Sequence, residues 1–242
     1  MVATKIASPD AAAWRRFGRR LLGGLAVGAM LALADPAGAA SLAELAPAGG
    51  ATTGGAFGTT EFVAGSFDGL PQWKRVRDDG LARRKEFAGC QAASSTCPSA
   101  TSRTWGDIVG QVRGLAPMDQ IKFVNSYFNR WAYITDQANY GTPEYWATVE
   151  EFLARSGDCE DYAISKFFAL RELGYKNEDL RVFAVLDTIR NLGHAILVVK
   201  LDGKNYVLDI YNAIVTTDTF YKHYMPKYSV DEKNRYLHVP NS

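Results

Sequence analysis

The stretch "RSGDCEDYAISKFFALRELG", Arg155 to Gly174, decides how the chain folds. Gly157 breaks what precedes it. From Cys159, apolar residues recur at steps of four, four and three, at Ala163, Phe167 and Leu170. That spacing lays them on one face of a helix. Gly174 stands where glycine commonly ends one. The spacing predicts a helix from about Cys159 to Leu173, with the thiol at the amino-terminal end of its buried face. Asp158, Glu160 and Asp161 surround that thiol.

Upstream, "DQIKFVNSYFNRWAYITD" carries Ile121, Val124 and Phe128 at helical spacing, with Asp119 as the expected N-cap after Pro117. "ATVEEFLARS" reads as a short helix. Between them lies a polar aromatic loop. Trp131, Tyr140, Tyr145 and Trp146 read either as core or as a surface that grips an extended peptide. Downstream the period changes. "LRVFAVLDT", "HAILVVKL" and "YVLDIYN" read as three strands. The short connections "TIRNLG" and "DGKN" suit antiparallel neighbours. Helices first and an antiparallel sheet second define an α+β fold.

His194 opens the second of these strands and Asp209 lies near the end of the third. A hairpin turn near Gly203 is expected to set His194 across from Asp209, where facing β-carbons come within about 5 Å. A carboxylate can then hold one imidazole nitrogen while the other faces a thiol on a helix packed against the sheet. Nucleophilic thiol catalysis needs that arrangement. A helix N-terminus and a nearby imidazolium are both expected to lower the thiol's pKa. Cys159, His194 and Asp209 are thus a candidate triad. Each also has a structural reading: a packed cysteine, a satisfied histidine, a paired carboxylate. His223 and His238 fall outside the arrangement and read as structural or exposed.

The segments "EYWATVEEFLARSGDCEDYAISKFFALRELG" and "HAILVVKLDGKNYVLDIYNAIV" resemble the bacterial transglutaminase-like cysteine peptidases, whose best-known type is the LapG-like periplasmic protease. The resemblance runs from about Trp105 to Tyr221. It implies a papain-like or transglutaminase-like core, the triad Cys159, His194 and Asp209, and a cysteine endopeptidase that cleaves a large surface adhesin. It also implies calcium held by acids beside the nucleophile, here Asp158, Glu160 and Asp161, and an inner-membrane regulatory receptor as partner. Calcium takes six to eight oxygens, so further ligands are needed, and the loop "DQANYGTPEYW" is one source. A simpler reading makes Asp158 the helix N-cap and leaves Glu160 and Asp161 to complement the helix dipole. Val149, the Ala195-Ile196 pair after His194, and Ile210 depart from the family pattern, which leaves the substrate open. An acyltransferase using the same thioester chemistry and a non-catalytic calcium-binding module are the alternatives.

The chain has 242 residues and a net charge of +1, which offers no basic field for nucleic acid. Residues 1–40 read as a secretory signal: arginines at 15, 16, 19 and 20, an apolar run from Leu21 to Ala34, and small residues at Ala37 to Ala39. The run is shorter than the roughly 20 residues a membrane span needs. A periplasmic location is therefore expected. Residues 41–100 read as a flexible lead-in with a short strand near Gly65 and a disulfide candidate, Cys90 with Cys97. Residues 101–242 read as the peptidase domain. Pairing Cys90 with Cys97 leaves Cys159 as the odd thiol of three, for which a reactive nucleophile is one reason.

Overall fold

The structure is a computed structural model that describes residues 51–52, 55–88, 90 and 97–241. The expected signal over residues 1–40 lies outside them. Among the described residues eight strands form one sheet: β1 (Ala51–Thr52), β2 (Thr59–Val63), β3 (Leu180–Asp187), β4 (Leu192–Leu201), β5 (Lys204–Leu208), β6 (Thr216–Thr217), β7 (Tyr224–Val230) and β8 (Arg235–Pro240). Their order is β1-β2-β8-β7-β3-β4-β5-β6, and every neighbouring pair is antiparallel. Among the described residues six α-helices precede β3: α1 (Pro71–Ala88), α2 (Ala100–Val112), α3 (Pro117–Phe128), α4 (Asp136–Tyr140), α5 (Val149–Arg155) and α6 (Cys159–Glu172). The expected α+β class is the observed one.

The period of two along β3 and β4 serves two cores. Val182, Ala184, Leu197 and Val199 face the helices, in one cluster with Phe167 and Leu170 of α6. Phe183, Val185, Ile196 and Val198 face the other way, against Ala56, Tyr221 and Tyr224. Both sheet faces are therefore covered. This explains why "HAILVVKL" reads as a nearly continuous apolar run rather than an alternating one.

α6 is the centre of the molecule. Every residue from Cys159 to Leu170 is buried, charged ones included. The expected buried face is thus only part of a helix enclosed on all sides. α1 packs so closely against α6 that a β-carbon at Gly80 would lie 2.3 Å from the Phe168 ring. Only glycine permits that approach.

Several local expectations change. The residue capping α3 is Ala116, with Pro117 in the first turn and Asp119 further in. Proline suits the first helical position because its missing N–H has no helical acceptor there, and that fixes where the helix begins. The turn after β4 is a two-residue one: Leu201 pairs with Lys204, and Asp202 and Gly203 both have positive φ, 50° and 73°. That is the geometry a tight hairpin with right-handed twist demands. β5 accordingly ends at Leu208, and Asp209 lies just beyond it. The lead-in region contains both β2 and the 18-residue α1, whose Trp73 and Val76 are fully buried. The helix was not expected from the sequence. Cys90 and Cys97 are joined in a disulfide. Among the described residues no helix is long and apolar enough to cross a membrane.

Candidate active site

The β4–β5 ladder stops at Leu197 paired with Leu208. Continuing that register sets Asp209 opposite Ile196 and Tyr211 opposite His194. The imidazole and the carboxylate are therefore diagonal neighbours, not facing ones. They still meet: His194 Nε2 and Asp209 Oδ1 lie 2.8 Å apart, both residues buried. The residue facing the imidazole is Tyr211, stacked on it with ring centroids 4.6 Å apart. Arg190 caps Tyr211 in turn, 4.5 Å from its ring centroid.

Both oxygens of the Asp209 carboxylate are engaged. Oδ1 also accepts from the Tyr211 N–H at 2.9 Å, and Oδ2 accepts from the Tyr224 hydroxyl at 2.6 Å. Burial alone would raise its pKa. The imidazole of His194 and these hydrogen bonds outweigh burial and hold it down, at about 2. With Nε2 engaged by an ionised carboxylate, that nitrogen carries the ring proton, and Nδ1 is left to act as base.

Cys159 begins α6, and the backbone N–H of Ala195, next to His194, exerts a downward pull on the thiol's pKa. The thiol itself donates to Glu160 Oε2 at 3.2 Å. Its pKa is not lowered but pushed well up, by burial first and then by the Glu160 and Asp158 carboxylates. The helix-dipole expectation fails here because burial and two neighbouring acids outweigh a partial charge.

Asp158, Glu160 and Asp161 divide between two settings. Asp158 is the N-cap residue of α6, and Asp161 reaches back to accept the Asp158 N–H at 3.1 Å. Asp161 also accepts from the Ala147 N–H at 2.6 Å. Asp136, from the loop that offered further ligands, joins them: one oxygen each of Asp136, Asp158 and Asp161 lies within 4.8 Å of the others. Glu160 groups instead with Asp158 and the thiol. Gly157 has its own part in this. A β-carbon there would lie 2.0 Å from Asp161 Oδ2, so the acid's position depends on glycine, whereas the backbone leaves α5 at Ser156, with φ 63°.

The three aspartates fit a hard divalent cation. Asp136 Oδ1 and Asp158 Oδ1 are buried without a hydrogen-bond partner. Among the described residues no lysine or arginine pairs with any of the three. Burial, then the Asp158 charge, raises Asp136 to about 8 and drives Asp161 well up. Uncompensated buried carboxylates are costly, and an oxygen-seeking cation removes the cost.

The remaining sequence candidates are structural. His238 is buried between Thr59 Oγ1 at 3.0 Å and Ser229 Oγ at 2.8 Å. Trp146 is core, and Trp131 and Tyr140 pack on that core half-buried. Tyr211 and Tyr224 went unnoticed in the sequence because their roles arise only when β7 and the loop after β5 converge on Asp209.

A central helix opening on a cysteine, set against an antiparallel sheet with a histidine near the start of one strand, defines the papain-like and transglutaminase-like class of thiol peptidase. Within it, the chain belongs to the bacterial transglutaminase-like cysteine proteinases, whose family model matches residues 85–242. The fold is also that of Legionella pneumophila LapG, with a TM-score of 0.52 and 22% identity over 68% of this chain and 86% of that one. The EGTA-treated form of that protein matches with a TM-score of 0.52 and 22% identity over 68% and 84% of the two chains. Its calcium-bound form matches with a TM-score of 0.52 and 24% identity over 65% and 87%. No curated protein sequence matches the chain.

Proposed function

We propose that this cysteine peptidase works as an endopeptidase through Cys159, His194 and Asp209. The observation that carries the reading is the buried 2.8 Å contact between His194 Nε2 and Asp209 Oδ1, made from the strand against which the helix of Cys159 packs. His194 Nδ1 takes the thiol proton as the sulfur attacks the scissile carbonyl carbon. The same proton passes to the leaving amine as the C–N bond breaks. Water, deprotonated by the imidazole, then hydrolyses the thioester and returns the thiol. Asp209 stays ionised throughout and holds the tautomer. Backbone N–H groups at the start of α6 are suited to stabilise the oxyanion.

Asp136, Asp158 and Asp161 would hold calcium, with backbone carbonyls or water completing the shell. The solved calcium-bound form of Legionella LapG supports that choice of metal. When bound, the ion supplies positive charge among the carboxylates beside the nucleophile. This chain's own residues still bind, orient and move the proton. Glu160, included with the metal ligands on sequence grounds, lies nearer the thiol in this arrangement.

Residues 1–40 are assigned as a secretory signal, which places the mature protein in the periplasm with residues 101–242 as its peptidase domain. The substrate would be an adhesin-like cell-surface protein, and an inner-membrane receptor would hold the enzyme in check. The resemblance in "GDCEDYA" and the leader composition support these assignments. The test is direct. Cells carrying the wild-type chain should release surface protein that cells carrying Cys159→Ala retain. Retention equal in both would overturn the endopeptidase reading. A labelled primary amine joined to protein glutamine without chain cleavage would favour acyl transfer instead.

A further inference from the structure

Lys166 breaks the ordinary rule for lysine. It lies two turns into α6 from Cys159 and is 1% exposed. Among the described residues no carboxylate lies within ion-pair distance of it. Such burial is expensive, and it depresses the ammonium's pKa to about 7. A methionine or leucine would fill the same space at no such cost.

The ammonium has specific partners. It donates to Asn125 Oδ1 at 2.9 Å and to Asn129 Oδ1 at 2.7 Å, both from α3. Because the lysine takes both amide oxygens, both amide NH2 groups must point away from it. Asn129 Nδ2 donates to the Asp209 carbonyl at 2.8 Å. Asn125 Nδ2 donates to the Asn212 carbonyl at 3.0 Å and the Ala213 carbonyl at 3.3 Å. An amide can be placed either way round, and a cation on one side decides which. Lys166 therefore fixes the orientation of two asparagines, which together grip the loop after β5. That loop has left its ladder at Leu208, just before Asp209 begins it.

We propose that Lys166 is a positioning residue for the thiol chemistry: through Asn125 and Asn129 it ties the helix bearing Cys159 to the loop bearing Asp209. The inference rests on the triad reading above. Lys166 hydrogen-bonds neither the thiol, the imidazole nor the carboxylate; apart from a charge attraction to Asp209, it acts through that loop. A single buried ammonium thus sets the relative placement of two triad members that lie 50 residues apart in the sequence.

The test is the rate at which iodoacetamide alkylates Cys159, the free thiol of the described residues, in the folded protein. Wild type is compared with Lys166→Met, Asp209→Asn and the double variant. A remote core variant, Val76→Ala in α1, controls for lost stability and should alkylate at the wild-type rate. Each single site variant should slow alkylation by about tenfold or more, the worth of one hydrogen bond to a charged group. The double variant should be no slower than Asp209→Asn alone, because Lys166 then has nothing left to position. Equal slowing by Lys166→Met in both backgrounds would show that it does not act through Asp209, and would overturn the proposal. Where Lys166→Met fails to fold, Asn129→Ala makes the same comparison. If Asp209→Asn alkylates like wild type, the triad reading itself falls, an outcome distinct from failure of the Lys166 link.

Discussion

Tyr224 and His194 hold the two oxygens of one carboxylate: the hydroxyl bonds Asp209 Oδ2 at 2.6 Å while the imidazole bonds Oδ1 at 2.8 Å. Tyr224 is therefore part of what aims the imidazole. Tyr224→Phe keeps the ring stack on Tyr221, with centroids 5.2 Å apart, and removes only the hydroxyl. The expected loss in turnover is roughly tenfold, as for one charge-assisted hydrogen bond of about 1.5–3 kcal/mol. KM should stay near its wild-type value. Steady-state kinetics on a cleaved substrate check this, and a change confined to KM would contradict it.

Asp136 should be the strongest single determinant of calcium binding outside "GDCED". Calcium at about a hundred times its dissociation constant contributes about 2.7 kcal/mol of stability to the folded state. For a chain of this size that raises the melting temperature by roughly 5–10 °C. Asp136→Asn should abolish the shift, and chelator should reverse it in wild type. Thermal melts with calcium and with EGTA decide the matter, and an undiminished shift in the variant would exclude Asp136 from the site.

Gly157→Ala should injure the same site without touching an acid. Its added β-carbon would displace the Asp161 carboxylate, which lies 2.0 Å from where that carbon would be. A cost of about 1–3 kcal/mol is expected from such overpacking. The specific signature is a weaker calcium-induced shift as well as a lower starting stability. Calorimetric titration of calcium into the variant separates the two effects.

His238 should make the fold sensitive to acid. Burial lowers its pKa from 6.5 to about 4, against a weaker upward pull from Glu61. A histidine depressed in the folded state contributes its full stability above the unfolded pKa, near 6.5. The contribution is lost as pH falls towards 4. The amount is about 3 kcal/mol over that window. Urea midpoints at pH 7 and pH 4.5 should differ more for wild type than for His238→Gln. Equal differences would assign the acid sensitivity elsewhere.

How far the sequence was legible follows from the range over which each signal acts. The helix from Cys159, the strands after Leu180 and the candidate thiol, imidazole and carboxylate all announce themselves locally, through period, turn residues and motif. His194 and Asp209 were expected to face each other, yet a tight Asp202-Gly203 turn sets a register that makes them diagonal. Asp209 falls opposite Ile196, two positions along the strand from His194. α1 escaped notice because its outward side is crowded with arginine, lysine and aspartate, and its buried side is announced by little more than Trp73 and Val76. Asp136 is 22 residues from Asp158 and bears no local mark, since an aspartate at the start of a short helix is ordinary. Lys166 is likewise silent, because a lysine within a helix is usually exposed.

β2 and β8 pair from Thr59 with Pro240 to Val63 with Tyr236. A chain synthesised from its amino end therefore carries the β8-facing edge of β2 unmatched until residues 235–240 are free. Contacts between positions so far apart are the slowest to close. Sheet completion is a late event in the life of the molecule, and until then the β8-facing edge of β2 is open to pairing with other chains. Deleting the few residues after Val230 should leave the helices and the thiol helix intact in sequence but the sheet permanently unsealed, and such a chain is expected to aggregate rather than to lose activity gradually.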